Sequence, residues 1–312
     1  MNDDECKITE EDEYGMTLFS ESMFFISLKE KQQTEKDFLT IEDCGVHVIL
    51  LSKKEMMQMT INPKYQSISP LLQELITPVS FEERGEVLYD IRNKVKRFHV
   101  DGVEVVVKRY GHITAFNRLM YSTFRKSKAK RAYRNASRLK KLGIDTPEGV
   151  AVLETFKHGI LQNSFFISLY IPDRSLSFLR DFDAGNQALY PLLDALVAWL
   201  VKVHDQGVYH QDLNVGNILY RELPSSGFSF QLIDNNRMKF YPELSLKMRL
   251  KNLRRISDNV DLLNYILKRY AELLHLDTNK VQLQGCFYLL AFEAKQYAKR
   301  KLKHCLLKPI PQ

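Results

Sequence analysis

The chain has few cysteines and no long apolar run. Its four cysteines in 312 residues, Cys6, Cys44, Cys286 and Cys305, form no C-x-x-C pair and no disulfide-framework spacing. We therefore interpret them as free thiols in a reducing cytoplasm. No apolar run reaches about eighteen residues, so no transmembrane helix is predicted. The opening MNDDECKITEEDEY is acidic, whereas a secretory signal peptide needs basic residues before an apolar stretch, so none is expected.

Acidic residues are missing from one segment. From Arg109 to Gly143 there are eleven Lys or Arg and no Asp or Glu. Soluble helices commonly intersperse acids for i,i+4 pairing. This basic stretch, with Tyr121, Phe124 and Tyr133 interleaved, therefore favours docking to an anionic lipid surface, although a solvated face is the ordinary alternative. A second basic group, Lys299-Arg300-Lys301-Lys303, lies near the C-terminus.

The total charge of +7 is unevenly distributed. Residues 1–56 hold six Lys or Arg against fourteen Asp or Glu, and residues 57–312 hold 39 against 24. A body this basic attracts anionic partners such as nucleic acid, phosphorylated ligands or an acidic membrane surface. The acidic part, with one plausible strand at Val48–Leu51, is interpreted as a disordered or peripheral extension, or as the product of an upstream start codon.

The pattern of apolar residues predicts a β-rich first half and a mostly helical second half. Alternation from Gly85 to Tyr110 predicts strands, with Asp101-Gly102 as a two-residue hairpin turn. Helical periodicity follows over 112–142 and ends at Gly143. The further predictions are strands at Gly149–Leu153, Phe165–Ile171 and Phe228–Ile233, an amphipathic helix from Leu189 to Val203, and helices from Pro242 to about Leu307.

A polar loop interrupts this pattern at GVYHQDLNVGNIL, residues 207–219. Phosphoryl transfer from ATP needs a carboxylate to accept the proton of the attacking hydroxyl, oxygen ligands for Mg²⁺ and a cation on the donor phosphates. Asp212 can be the carboxylate, and Asn217 offers an amide oxygen that suits Mg²⁺. Asp234, at the end of FSFQLID, can be the second metal ligand. Lys108, on the early strand VEVVVKRY, can be the cation.

The same residues carry a family resemblance. VHDQGVYHQDLNVGNIL resembles the H-x-D-x-x-x-x-N loop of protein-kinase-like folds. With Asp234-Asn-Asn-Arg in place of Asp-Phe-Gly, and FRKSKAKRAYRNASRLKKLGIDTPE at 124–148, the chain looks like the lipopolysaccharide kinase (Kdo/WaaP) family over about residues 59–312. In this fold His210 is expected to brace the loop.

The resemblance implies a two-lobed α+β fold of protein-kinase type. A small β-rich N-lobe with one basic helix is expected over 57–168 and a larger, mainly helical C-lobe over 169–312. The implied activity is ATP-dependent phosphorylation of a Kdo or heptose hydroxyl of the lipopolysaccharide inner core. The expected partners are Mg²⁺, a lipid A–core precursor and the anionic inner-membrane surface. The expected location is cytoplasmic and peripheral, and no nucleic acid is expected.

Two features depart from the protein-kinase pattern. The hairpin at 85–98 has one glycine, Gly85, in place of a glycine-rich loop, so Arg92, Asn93 and Lys94 are the candidates to hold nucleotide phosphates. Lys108 also has no Glu on the following helix. Glu148 or Glu154 could supply the acid, Lys108 could contact phosphate unaided, or activity could be impaired; with Asp212, Asn217 and Asp234 intact, activity is expected to survive.

Other functions fit the same loop. A small-molecule phosphotransferase of the aminoglycoside/choline type or an atypical protein kinase is the alternative within enzymes. A pseudokinase that binds anionic partners is the non-enzymatic alternative, because the helix Glu is missing. An RNA-binding protein ranks last, since no RNP-type motif is present.

Overall fold

The chain forms two lobes. The computed structural model describes residues 40–43, 46–52, 55–91, 93–111, 126–224 and 227–306. Within these ranges a β-rich lobe precedes a mainly helical one, as the sequence predicted. Among the described helices, none is both long and apolar enough to cross a membrane.

An eight-stranded antiparallel sheet forms the N-terminal lobe. Its strands are β1 (Thr40–Asp43), β2 (Val46–Ser52), β3 (Glu55–Ile61), β4 (Glu86–Asp90), β5 (Lys94–Val100), β6 (Val103–Arg109), β7 (Gly149–Lys157) and β8 (Ile160–Leu169). They lie in the order β1-β2-β3-β7-β8-β6-β5-β4. Asp101 and Gly102 join β5 to β6 with φ of 47° and 76°, which confirms the predicted hairpin because such turns need positive φ.

The two faces of this sheet contact different parts of the protein. Successive strand residues point to opposite faces. On β6, Val105 and Val107 are fully buried in a core that includes Leu72 of the short helix α1 (Ser69–Leu75) and Phe81 of α2 (Pro78–Glu83). Lys108 therefore lies on the other face.

Helix α3 (Lys128–Lys141) packs on the Lys108 face. The Ser127 hydroxyl caps it by accepting a hydrogen bond from the Lys130 backbone N–H at 3.1 Å. Small and apolar residues recur at helical spacing and are buried: Ala129, Ala132, Ala136 and Leu139. Gly143 follows the helix with φ of 68°, as predicted. The first part of the predicted helix, residues 112–125, lies outside the described residues.

The described part of the C-terminal lobe contains four α-helices. They are α4 (Tyr190–Asp205), α5 (Leu246–Leu253), α6 (Val260–Leu273) and α7 (Thr278–Leu306). The predicted apolar stripe of α4, including Leu193, Leu196 and Leu200, is buried in one core with α6. Gly207 follows α4 with φ of 69°, and a Cβ there would lie 1.9 Å from the Tyr241 carbonyl oxygen. Only glycine fits this close approach.

Short strands between the helices position the polar loop. Strand β10 (Val208–His210) pairs with β13 (Met238–Phe240), and β11 (Ile218–Glu222) lies between β9 (Arg174–Ser175) and β12 (Phe228–Leu232). Gln211 N donates to Arg237 O and Ile233 N to Asn217 O, both at 3.0 Å. The residues that follow β10 therefore lie beside those that follow β12.

The predicted domain boundaries can be compared with the strands. The division between residues 56 and 57 falls inside β3, and the division at 168 falls near the end of β8. Strand β2 includes the predicted Val48–Leu51 strand and pairs antiparallel with β3 from Val46 to Ser52. Residues 40–43 and 46–52 are thus continuous with the sheet through backbone hydrogen bonds, although the sequence assigned them to the extension. Residues 1–39 lie outside the described residues.

Candidate active site

The buried side chain of His210 holds the polar loop, residues 207–219, in place. His210 Nε2 lies 3.0 Å from Ile233 O, and His210 Nδ1 accepts a hydrogen bond from Asp212 N at 3.1 Å. Burial lowers the pKa of His210, which favours the neutral ring that can donate from one nitrogen and accept at the other. Asn252 Nδ2 donates to His210 O at 2.7 Å. His210 therefore braces the loop, as the sequence predicted, and is buried away from any reacting group.

The backbone of Asp212 is fixed by the two asparagines that follow it. Asn214 Nδ2 and Asn217 Nδ2 both donate to Asp212 O at 2.9 Å. Because the Asn217 amide nitrogen is used in this way, its amide oxygen remains available as a metal ligand. The Asp212 carboxylate accepts a hydrogen bond from Arg255 Nη2 at 3.0 Å. Both side chains are partly exposed, so this carboxylate is oriented and still reachable by a substrate.

Lys108 and Asp234 join the two lobes. Lys108 Nζ lies 2.7 Å from Asp234 Oδ1, and both side chains are mostly buried. Asp234 has φ of 57°, a left-handed conformation that Asp tolerates better than most residues. Burial would raise the pKa of Asp234, but the charge and hydrogen bond of Lys108, with a hydrogen bond from Asn236 Nδ2, outweigh it and lower the pKa. The Asp234 carboxylate is thus ionised and paired.

A chain of hydrogen bonds ties the segment after Asp234 to α3. Asn135 Nδ2 on α3 donates to Asn235 O at 2.7 Å. Asn235 Nδ2 donates to Thr146 Oγ1 at 2.6 Å, and Thr146 Oγ1 donates to Leu232 O at 2.7 Å. Asn235 and Thr146 are buried. Because Asn235 follows Asp234 directly, this network fixes the backbone that presents the Asp234 carboxylate.

Helix α3 has no acidic residue, and it contributes a lysine instead of an acid to its ion pair with the sheet. Lys130 Nζ on α3 lies 2.8 Å from Glu154 Oε2 on β7, and Ser164 Oγ donates to Glu154 Oε1 at 3.2 Å. Glu148 instead accepts hydrogen bonds from Lys64 Nζ and the Tyr65 hydroxyl. Neither Glu148 nor Glu154, the two candidates from the sequence, is therefore bonded to Lys108. In the described part of the chain, the carboxylate partner of Lys108 is Asp234.

Of the three residues predicted to hold nucleotide phosphates beside Lys108, the structure describes Asn93 and Lys94. Arg92 lies outside the described residues. Asn93 is half-buried in the connection between β4 and β5. In the β5–β6 register, Lys94 lies opposite Arg109 and Val95 opposite Lys108. Residues paired across strands share a face, so Lys94 lies on the opposite face of the sheet from Lys108.

On that face, Lys94 forms ion pairs with two acids. Its Nζ lies 2.5 Å from Glu82 Oε2 and 3.3 Å from Asp90 Oδ2. The structure therefore does not bring Lys94 together with Lys108. Sequence reasoning could not detect this, because the run Arg92-Asn93-Lys94 gives no reference for which residues point into the cleft.

Four side chains of the site were missed in the sequence. Arg255, Asn135, Asn235 and Lys130 each contact a functional or supporting group from a distant part of the chain. The only usable signal was the polar Asn235-Asn236 pair directly after Asp234, where an apolar residue would be ordinary. Nothing in the local pattern distinguishes Arg255 from the neighbouring basic residues.

A sheet-rich lobe over a helical lobe, with an Asp/Asn loop facing a Lys–Asp pair, defines a protein-kinase-like phosphotransferase fold. Comparison with known proteins narrows the class. The model of the lipopolysaccharide kinase (Kdo/WaaP) family matches residues 80–275, which is more than half of the chain. The protein belongs to this family, and it is a phosphotransferase with an alcohol group as acceptor.

A search of solved structures finds similarity to "WaaP in complex with acyl carrier protein". The identity is 18% and the TM-score 0.47, over 73% of this chain and 95% of that one. A search of curated proteins gives no match.

Proposed function

We propose that the protein transfers the γ-phosphoryl group of ATP to a sugar hydroxyl, of Kdo or heptose, in the lipopolysaccharide inner core. The observation that carries this proposal is the Lys108–Asp234 pair, which meets the Asp212 loop where the lobes adjoin. Family membership supports a lipopolysaccharide core sugar as the acceptor. The acceptor would be a lipid A–core precursor at the cytoplasmic face of the inner membrane.

The donor site is assigned to the cleft between the lobes. Lys108 would exchange its contact with Asp234 for the donor phosphates when nucleotide binds, since a Lys in this position neutralises phosphate charge. Asn93, with Arg92 next to it in sequence, would lie near the outer phosphates. Lys94 is left in its ion pairs with Glu82 and Asp90.

The residues present fit Mg²⁺. The described residues hold no cluster of three or more His, Cys, Asp or Glu. Kinase sites hold Mg²⁺ with only one or two protein carboxylates, together with substrate phosphates and waters. Asp234 and the Asn217 amide oxygen would be the protein ligands. The ion, when bound, neutralises charge that develops on the transferred group.

Asp212 would act on the acceptor. Its carboxylate accepts the proton of the sugar hydroxyl while the hydroxyl oxygen forms a bond to the γ-phosphorus and the bond to ADP breaks. Arg255 holds one carboxylate oxygen at 3.0 Å, which leaves the other to face the acceptor. A pseudokinase, the alternative that the missing helix Glu raises, would transfer no phosphate to any acceptor in the test below.

The test is phosphate transfer from labelled ATP to purified lipopolysaccharide that lacks core phosphates. The wild type is expected to label it, and Asp212→Asn to lose about 10²–10⁴-fold in turnover while remaining folded. Asp181→Asn, an exposed Asp without a catalytic assignment, is the matched control and should retain full activity.

Parallel reactions with protein and with an aminoglycoside separate the alternatives. If protein or the aminoglycoside is labelled and lipopolysaccharide is not, the acceptor is not a lipopolysaccharide sugar. Full activity of Asp212→Asn would refute the mechanism. Mass spectrometry of the labelled product identifies which sugar carries the phosphate.

A further inference from the structure

Helix α7 carries an exposed row of large apolar side chains. Leu283, Phe287, Leu290 and Tyr297 are 74%, 65%, 68% and 64% exposed. With Ala294, which is also exposed, they follow each other at intervals of four, three, four and three residues. This spacing keeps them on one side of a helix. We call these five residues the α7 stripe.

The opposite side of α7 already has partners. Val281 is buried in the core of the C-terminal lobe. A Cβ at Gly285 would lie 2.3 Å from Leu267 Cδ1, so α6 and α7 approach closely at this glycine. Gln282 Nε2 donates to Asn264 Oδ1 at 2.6 Å. These contacts fix the rotation of α7 about its own axis, and the α7 stripe consequently faces away from the protein core.

Basic residues accompany the stripe in the second half of the helix. Lys295, Lys299, Arg300 and Lys301 are exposed, and Lys303 follows in the sequence. From Thr278 to Leu306 the only acid is Glu293. At helical spacing Lys301 lies in line with the α7 stripe, and Lys295 and Arg300 lie on its two flanks. An apolar row flanked by Lys and Arg is typical of helices that lie in the interface of an anionic bilayer. The same charges oppose a parallel pair of α7 helices, since like charges would then meet across the contact.

A contact connects α7 to the candidate active site. Phe292 lies on the inner side of α7. The Cζ atoms of Arg254 and Arg255 lie 4.8 and 5.1 Å from the centre of its ring. Arg255 holds the Asp212 carboxylate. If α7 binds a membrane surface, that surface is therefore linked through Phe292 and Arg255 to Asp212, the residue assigned to the acceptor.

The helix suggested by the sequence is less suited to this task. On α3, Lys130 is paired with Glu154, Arg138 lies 4.2 Å from the centre of the Phe240 ring, and Lys140 lies 3.6 Å from Asp145. Its apolar side is buried between the lobes. Three cations of α3 thus already have partners within the protein.

From these observations we infer that the α7 stripe and its basic residues form the surface that docks the protein on an anionic phospholipid bilayer. The inference rests on the proposed function in one respect: the proposed substrate identifies the bilayer as the inner membrane. The stripe inserts its apolar side chains among the acyl chains near the headgroups, and the Lys and Arg side chains bind lipid phosphates.

The experiment is flotation of the full chain with vesicles of phosphatidylcholine, with and without phosphatidylglycerol. The stripe variant combines Leu283→Ser, Phe287→Ser and Leu290→Ser, and the charge variant combines Lys295→Glu, Lys299→Glu and Lys301→Glu. The control combines Val79→Ser and Val260→Ser, two apolar residues 66% and 60% exposed elsewhere on the surface. Circular dichroism checks that each variant is folded.

The wild type and the control are expected to bind the phosphatidylglycerol vesicles equally. The stripe and charge variants should each bind about tenfold more weakly or worse. Wild-type protein that does not bind, or variants that bind like wild type, would overturn the inference. Light scattering that shows a dimer dissociated by the stripe variant would also overturn it and assign the stripe to a second copy of the chain. Flotation needs no turnover, so failure of the proposed reaction would be seen separately.

Discussion

Lys130 on α3 and Glu154 on β7 form an ion pair of 2.8 Å whose acidic side chain is only 2% exposed. The helix supplies the cation and the sheet supplies the acid, which reverses the polarity of the Lys–Glu pair of protein kinases. The pair fixes α3 on the sheet, and α3 holds the segment after Asp234 through Asn135. A helix without acids can thus still support the site, because its acidic partner comes from a strand.

Breaking this pair should destabilise the fold. Lys130→Met leaves the buried Glu154 carboxylate without its cation, and loss of one partner of a buried pair costs about 3 kcal/mol. Urea denaturation measures the free energy of unfolding. Lys140→Met is the matched control: Lys140 is on the same helix, but its pair with Asp145 is exposed, so the expected loss is below about 1 kcal/mol.

Exchanging the two charges tests the pair directly. The double variant Lys130→Glu with Glu154→Lys should be more stable than the sum of the two single variants predicts, by about 1 kcal/mol or more. Additive losses would mean that the two side chains act independently. A turnover that recovers together with stability would show that the pair positions α3 for catalysis.

Because His204 is buried, we expect the stability of the protein to depend on pH. The ring is buried, with Nδ1 2.8 Å from the Tyr270 hydroxyl and Nε2 3.2 Å from Asn252 Oδ1. Burial lowers the pKa of His204 from 6.5 to about 4. Between these values the unfolded chain binds a proton that the folded protein does not, so stability falls as the pH drops from 6.5 to 4. The contribution is about 3 kcal/mol.

Denaturation at several pH values tests this contribution. His204→Gln should be less stable at neutral pH and should lose about 3 kcal/mol less than wild type between pH 7 and 4. His99→Gln changes an exposed histidine and should keep the wild-type pH dependence. Equal pH dependence in all three proteins would exclude a buried neutral His204.

Arg255 should affect turnover more than nucleotide binding. It bonds the Asp212 carboxylate, and a shift of that group by about 1 Å can cost on the order of 10²-fold in rate. For Arg255→Ala we expect kcat to fall about 10–10²-fold, with the KM for ATP nearly unchanged. Arg255→Lys should recover part of the loss. If only the KM for ATP changed, Arg255 would act in nucleotide binding and not in positioning Asp212 for the acceptor.

The Asn235–Thr146 hydrogen bond should show strong coupling. Asn235→Ala leaves Thr146 Oγ1 without its donor, and Thr146→Val leaves Asn235 Nδ2 without its acceptor. Each change is expected to cost about 1–3 kcal/mol, because both groups are buried. The double variant should lose less than the sum, by about 1 kcal/mol. A double-mutant cycle of unfolding free energies measures this, and strict additivity would contradict the network.

Much of the local structure was determined by the sequence. The alternation around Asp101-Gly102 predicted the hairpin of β5 and β6, and the stripe from Leu189 to Val203 predicted α4. The H-x-D-x-x-x-x-N spacing identified the loop, because its polar residues break an apolar pattern over few positions. These features depend on neighbours in the chain, and periodicity records such neighbours directly.

The tertiary structure decided which side chains meet. It pairs Lys108 with Asp234, Lys130 with Glu154 and Arg255 with Asp212, and it turns Lys94 away from the cleft. Each pairing joins segments from 24 to 126 positions apart. The sequence alone gives charge and spacing but no relative position for such segments, because strand register and helix rotation are fixed by packing of the whole core.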